Sequence, residues 1–224
     1  MESKICLQNT IKSFNYFSNL ISEKKYSGAV LGAEELLYNI TRLELLMDRY
    51  FSDALNIIWD LPNTSSPGYF LWIYSCERII DEFLFIAKET LNATQVLKPE
   101  DIKTIGKDTD IFAFVWNKAV EKSLEFCELA ASTISLEPEN VSIKKALNLV
   151  YDYEQHRKQI GVNQDKFIKL LSGDEKYFKD LNRAKRLLTA SCHLNNIFQS
   201  SERIIIFATS ISKNTLRLGL HKKL

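Results

Sequence analysis

At 224 residues the chain has room for one large domain or two small ones, and 46% apolar residues mark an ordinary globular composition. Its 29 Lys and Arg nearly balance 28 Asp and Glu, for a net charge of +1, which argues against a dedicated nucleic-acid binder. No apolar run approaches the roughly 20 residues of a membrane span, and MESKICLQNTIKSF lacks the basic-then-apolar order of a signal peptide.

The elements follow from apolar spacing and from the scarcity of breakers, only 7 Gly and 4 Pro. Residues 4–23 place Ile5, Leu7, Ile11, Phe14, Phe17, Leu20 and Ile21 at helical intervals. A turn at Lys24, Lys25 and Gly28 leads to a long amphipathic stretch, about 29–59, carrying Leu36, Ile40, Leu43, Met47 and Tyr50. Leu61 to Gly68, with two prolines, is the clearest loop. A third helix is expected over about 69–91. The polar segment 94–109 reads as a linker.

The cycle then restarts. Helices are expected over 111–134 and 141–171, the latter with a break near Gly161, and over 175–216 as one long helix or a broken pair. Nowhere do β-branched residues alternate with polar ones over a strand's length. The expected fold is all-α, two tandem three-helix bundles: repeat one over 1–93, repeat two over 110–218, and a basic tail at 219–224. That tail is read as solvated, with peripheral membrane association at most.

Cys6, Cys76, Cys127 and Cys192 are scattered and form no Cys-x-x-Cys, so neither a disulfide framework nor a zinc site is indicated. Cys76 and Cys192 lie in helical patterns, where a thiol packs as a small hydrophobe. A cytoplasmic location is expected. Trp59, Trp72 and Trp116 sit at apolar helical positions and are read as core.

One segment occurs twice. Residues 75–91, SCERIIDEFLFIAKETL, and 200–216, SSERIIIFATSISKNTL, agree at 9 of 17 positions without a gap. Shared apolar periodicity alone does not give a common Glu-Arg-Ile-Ile, so duplication of one helical unit is the natural reading.

Cys76-Glu77-Arg78-Ile79-Ile80-Asp81, followed by Ile86 and Ala87, resembles the Leu-Glu-Arg-Ile-Gly-Asp-x-x-x-x-Ile signature of the PhoU phosphate-uptake regulators. Ser201-Glu202-Arg203-Ile204-Ile205-Ile206, followed by Ile211, is the second copy, with Ile206 in place of the acid. Ile40-Thr41-Arg42-Leu43 is similar to the family's Val-Asp-Arg-Leu segment, with Thr41 where an acid is usual. The resemblance implies two three-helix repeats and a non-enzymatic regulator. Its implied partners are a phosphate-transporter ATPase or a phosphate sensor kinase. It also implies metal ligation, iron or zinc included, at Glu77, Asp81 and Glu202, with Arg78 and Arg203 as motif or partner-contact residues.

The chemistry leaves two readings open. Glu77 and Asp81, four residues apart on a helix, project from one face and could hold a hard cation. Alternatively, Glu77 with Arg78 and Glu202 with Arg203 form interhelical ion pairs that fix packing, the chain being a helical scaffold without metal or phosphate function. Arg157 is placed where repeat two would carry a partner acid. A homodimer is compatible with either reading.

Other constellations are weaker. Asp152 and His156 are four apart but lie in the polar stretch YDYEQHRK and are read as exposed. Arg186 and His193 fall in the loose Arg-x4-6-His spacing of HEPN ribonucleases, in which the Arg would hold the scissile phosphate and the His move a proton.

Overall fold

The computed structural model describes residues 2–22, 26–59, 66–98, 101, 114–134, 140–172 and 180–221. These are all-α, with no strand among them. The helices are α1 (Glu2–Ser22), α2 (Tyr26–Trp59), α3 (Ser66–Val96), α4 (Glu121–Thr133, entered through a π turn at Trp116–Val120), α5 (Asn140–Ser172) and α6 (Leu181–His221). α5 runs through Gly161 without a break, and α6 is one helix rather than a broken pair. Most of the expected linker and the end of the tail lie outside the described residues.

Local chemistry sets several ends. Pro67 falls in the first turn of α3, where its missing N–H costs nothing. Asp180 caps α6, its Oδ1 accepting from the backbone N–H of Asn182 (2.9 Å) and Arg183 (3.3 Å). The carbonyl of Ile134 beyond α4 accepts from Lys4 Nζ of α1 at 3.0 Å.

The π turn interrupts the continuous helix expected over 111–134. Trp116 opens it. Its ring is buried, stacked on Phe14 and edge-on to Phe17, and its Nε1 donates to the Ser18 hydroxyl. Asn163 of α5 donates to the Lys118 carbonyl inside the widened turn (3.3 Å), partnering a group the local change of pitch affects.

Helices α1, α2 and α3 pack on one another, as do α4, α5 and α6. The two sets join along α3 and α6, the most extensive helix pair among the described residues, and along α1 and α4. α2 packs on both α1 and α3, and α5 on both α4 and α6, so α2 and α5 flank the join. The buried apolar residues of all six helices form one continuous core.

α3 and α6 are antiparallel. Gly68 lies against Leu218, Trp72 Nε1 donates to the Ile211 carbonyl at 3.1 Å, Arg203 meets Glu82, and His193 and Asn196 meet Glu89. This register places Ile79 and Ile80 opposite Ile204 and Ile205, all four fully buried. The duplicated segments thus cross at their Ile-Ile pairs.

Trp72 and Trp116 are core, as expected; the side chain of Trp59 lies outside the described residues. Cys6, Cys76 and Cys127 are buried, and burial pushes the Cys76 thiol up to about 12. Cys192 is exposed instead of packed, because its position on α6 points away from the neighbouring helices. Alkylation of the native protein is therefore expected to label Cys192 first. The other three thiols should react only as the fold opens, which mass spectrometry of peptides would resolve.

No helix of the described residues is long and apolar enough to cross a membrane.

Candidate functional site

Glu77 and Asp81 do project together from α3, and α2 supplies a second acid pair beside them. Glu44 and Asp48, also four residues apart, face α3, so that Glu44, Glu77 and Asp81 each feel a carboxylate across the groove. Burial and the charge of Asp81 raise the Glu77 carboxyl above its ordinary value, Arg78 only partly opposing them. Burial likewise raises Asp81, with Arg78 opposing and Asp48 adding to the rise. Glu44 is raised by burial and by Asp48 and Asp81.

The Glu44-x-x-x-Asp48 pair was legible in the sequence, since it repeats the spacing of Glu77-x-x-x-Asp81 three residues beyond Thr41. Thr41 itself turns back, its hydroxyl donating to the Leu37 carbonyl at 2.8 Å.

The fit to a metal is poor. Asp81 is already paired with Arg78, at 2.8 Å from Nη1 to Oδ2. Glu77 Oε2 is buried without a hydrogen-bond partner, the one feature that favours a cation. Yet among the described residues no three His, Cys, Asp or Glu side chains converge as a metal-holding group. A closed site for a resident ion needs more oxygens at short range than this. Glu202 contributes none, because it lies with α5.

The second copy of the segment is paired differently. Glu202 Oε1 accepts from Arg157 Nε at 2.6 Å, joining α6 to α5. Arg203 Nε donates to Glu82 Oε1 at 2.6 Å, joining α6 to α3, and its Nη2 donates to the Ser200 hydroxyl. Both are interhelical ion pairs. Arg78, by contrast, stays on its own helix. The difference has a sequence origin: Glu82 has Phe207 as its counterpart in the second copy, so Arg78 finds no carboxylate across the seam.

The seam between α3 and α6 continues the pattern. Glu89 is nearly buried and accepts from Asn196 Nδ2 at 2.6 Å, with His193 Nδ1 at 3.2 Å. Asp101 is fully buried and held by Arg186 through two bonds, 2.7 and 3.1 Å, with Arg183 Nε at 3.3 Å. Arg186 and His193, the pair with nuclease-like spacing, are each engaged with a carboxylate from the first half. Asp152 is exposed as expected, but His156 is not; its ring lies against Phe126 and its Nδ1 is buried.

No protein-family model, curated protein or solved structure matches this chain.

The crowding of the α2–α3 acids has a pH consequence. A carboxyl raised by its surroundings holds its proton longer in the folded state than in the unfolded one. Stability contributed by that difference is lost as pH rises from the ordinary carboxylate range through the raised value. Glu77→Gln is therefore expected to raise the melting temperature at neutral pH and to leave it unchanged in acid. Relief of one like-charge pair four residues apart is worth about 0.2–0.5 kcal/mol, readable by calorimetry across pH.

Proposed function

We propose that this chain is a non-enzymatic helical regulator of the PhoU-like kind, acting through protein contacts rather than chemistry. The observation that supports it is the duplicated Glu-Arg-Ile-Ile segment, which resembles the family motif and lies at the crossing of the two central helices. A duplication that places both motif copies at one seam makes the two halves a single rigid body with broad helical faces. Such faces suit contact with a phosphate-transporter ATPase or a sensor kinase in the cytoplasm. Metal is not required by this reading, since ion pairs already engage Asp81 and Glu202.

The scaffold alternative has its own support in repeat two. There Ile206 has replaced the second acid, and Arg157 supplies the cation that Glu202 needs. The same protein contacts would then carry no phosphate signal.

An affinity pull-down of the full chain from its native cells, grown with ample phosphate, separates the two. The regulator reading expects a phosphate-transporter ATPase or its sensor kinase by mass spectrometry, with recovery reduced by substitutions at exposed positions of α2 and α3. Reproducible capture of partners unconnected with phosphate would overturn it.

A further inference from the structure

α1 and α2 leave a cleft between them, with a volume of about 350 Å³, in the range of small-molecule sites. Its lining falls into pairs four residues apart, each pair one helical turn on the same face. Ser13 and Phe17 of α1 and Gly32 and Leu36 of α2 make the floor. Phe17, Gly32 and Leu36 are buried, and Phe17 is braced edge-on against Trp116 of the core. Ser13 spends its hydroxyl on its own helix, donating to the Asn9 carbonyl at 3.1 Å. Gly32 is unfavourable inside a helix, and its bare backbone leaves the floor between Phe17 and Leu36 unfilled.

The rims are polar. Lys12 and Tyr16 of α1 stand on one side, Glu35 and Asn39 of α2 on the other. Lys12 and Glu35 are exposed, and more than half of the Tyr16 surface is open. Among the described residues neither Lys12 nor Glu35 has an ion-pair partner, and they do not reach each other across the cleft. One cleft therefore holds a free cation on one wall, a free anion on the other and an apolar floor between them.

We infer that this cleft binds a free α-amino acid with an apolar side chain, its carboxylate on Lys12, its ammonium on Glu35 and its side chain over Phe17 and Leu36 beside the Tyr16 ring. The two charges decide the class of ligand. A simple anion would gain from Lys12 and be repelled by Glu35, and a simple cation the reverse. A wholly apolar molecule would take both charges out of water with nothing in return. Only a ligand that carries both signs a short distance apart, with an apolar body, answers both walls and the floor. The inference stands apart from the regulator reading, since it uses no residue of the duplicated segments.

Calorimetric titration of the full chain with phenylalanine and with leucine tests it. One-to-one binding in the sub-millimolar range is expected. Lys12→Gln and Glu35→Gln remove exposed charges that the fold does not pair, so circular dichroism and the melting temperature without ligand should be unchanged. Each should weaken binding roughly ten-fold or more, the scale of one charge-assisted hydrogen bond. Analogues separate the two contacts. Phenylalaninamide, which has no carboxylate, should bind weakly and be indifferent to Lys12→Gln. N-acetylphenylalanine, which has no ammonium, should bind weakly and be indifferent to Glu35→Gln. No binding of either amino acid at millimolar concentration overturns the inference. So does binding that both variants leave unchanged, which would place the ligand elsewhere on the molecule. N-acetylphenylalanine binding as tightly as phenylalanine also overturns it, in favour of a site for simple anions.

Discussion

Arg186→Met is expected to destabilise the fold by about 3–5 kcal/mol, the cost of breaking a buried ion pair from one side. Asp101 is fully buried, and Arg186 is its bidentate partner. Burial acts to raise the Asp101 carboxyl. The Arg186 bonds, the Lys98 backbone N–H at 3.1 Å and the charges of Arg186 and Arg183 overcome it and hold the carboxyl below its ordinary value. Without Arg186 the carboxylate loses two hydrogen bonds and the nearer of its two guanidinium groups. Methionine fills similar volume, so the loss measures charge and hydrogen bonding rather than a cavity.

Two further readouts guard that prediction. The double variant Asp101→Asn with Arg186→Met is expected to be more stable than Arg186→Met alone, since it removes the uncompensated charge. Acid dependence should also change. A carboxyl lowered in the folded state contributes stability that is present above its ordinary value and lost as pH falls through the lowered one. That share of acid sensitivity should disappear in the double variant. Chemical denaturation across pH would measure all three, and a cost within experimental error for Arg186→Met would show that the pair is not part of the fold's support.

The sequence was most legible where a property has a period. The six helices among the described residues, their order and most of their ends follow from apolar spacing and from the few Gly and Pro, and α1, α2, α4 and α5 end within three residues of expectation. The π turn escaped because helical spacing does not report a single widened turn; Trp116, buried among Phe14 and Phe17, was visible only as an apolar residue. His156 and Cys192 were misplaced for a related reason. Composition of a short window sets an average, whereas the neighbour across the interface, Phe126 for His156 and none for Cys192, decides burial.

The candidate site was half legible. Glu77 and Asp81 were found by spacing on one helix, and the same test applied to α2 finds Glu44 and Asp48. What spacing does not reveal is which pairs come together across helices. Arg157 with Glu202 and Arg203 with Glu82 depend on how α6 sits between α5 and α3, a tertiary fact. The ion-pair reading of the second motif nevertheless named both residues, because adjacent opposite charges on a helix flanked by two others tend to find separate partners.

Ile79→Ala and Ile204→Ala are each expected to cost about 2–5 kcal/mol, the range for truncating a fully buried Ile. Both are at the crossing of α3 and α6, where the antiparallel register sets each motif copy against the other. The informative quantity is their coupling. If the two side chains fill one shared space, the first truncation opens a cavity that the second merely enlarges. The double variant should then depart from additivity by about 0.5–3 kcal/mol. Ile→Ala at two buried positions far from the seam, such as Ile11 and Ile160, should add. Equilibrium denaturation of the four variants and the two doubles would decide it. Additive losses at Ile79 and Ile204 would mean that the repeated Ile-Ile serves each half separately, and the resemblance between the segments would then need a cause other than their packing on one another.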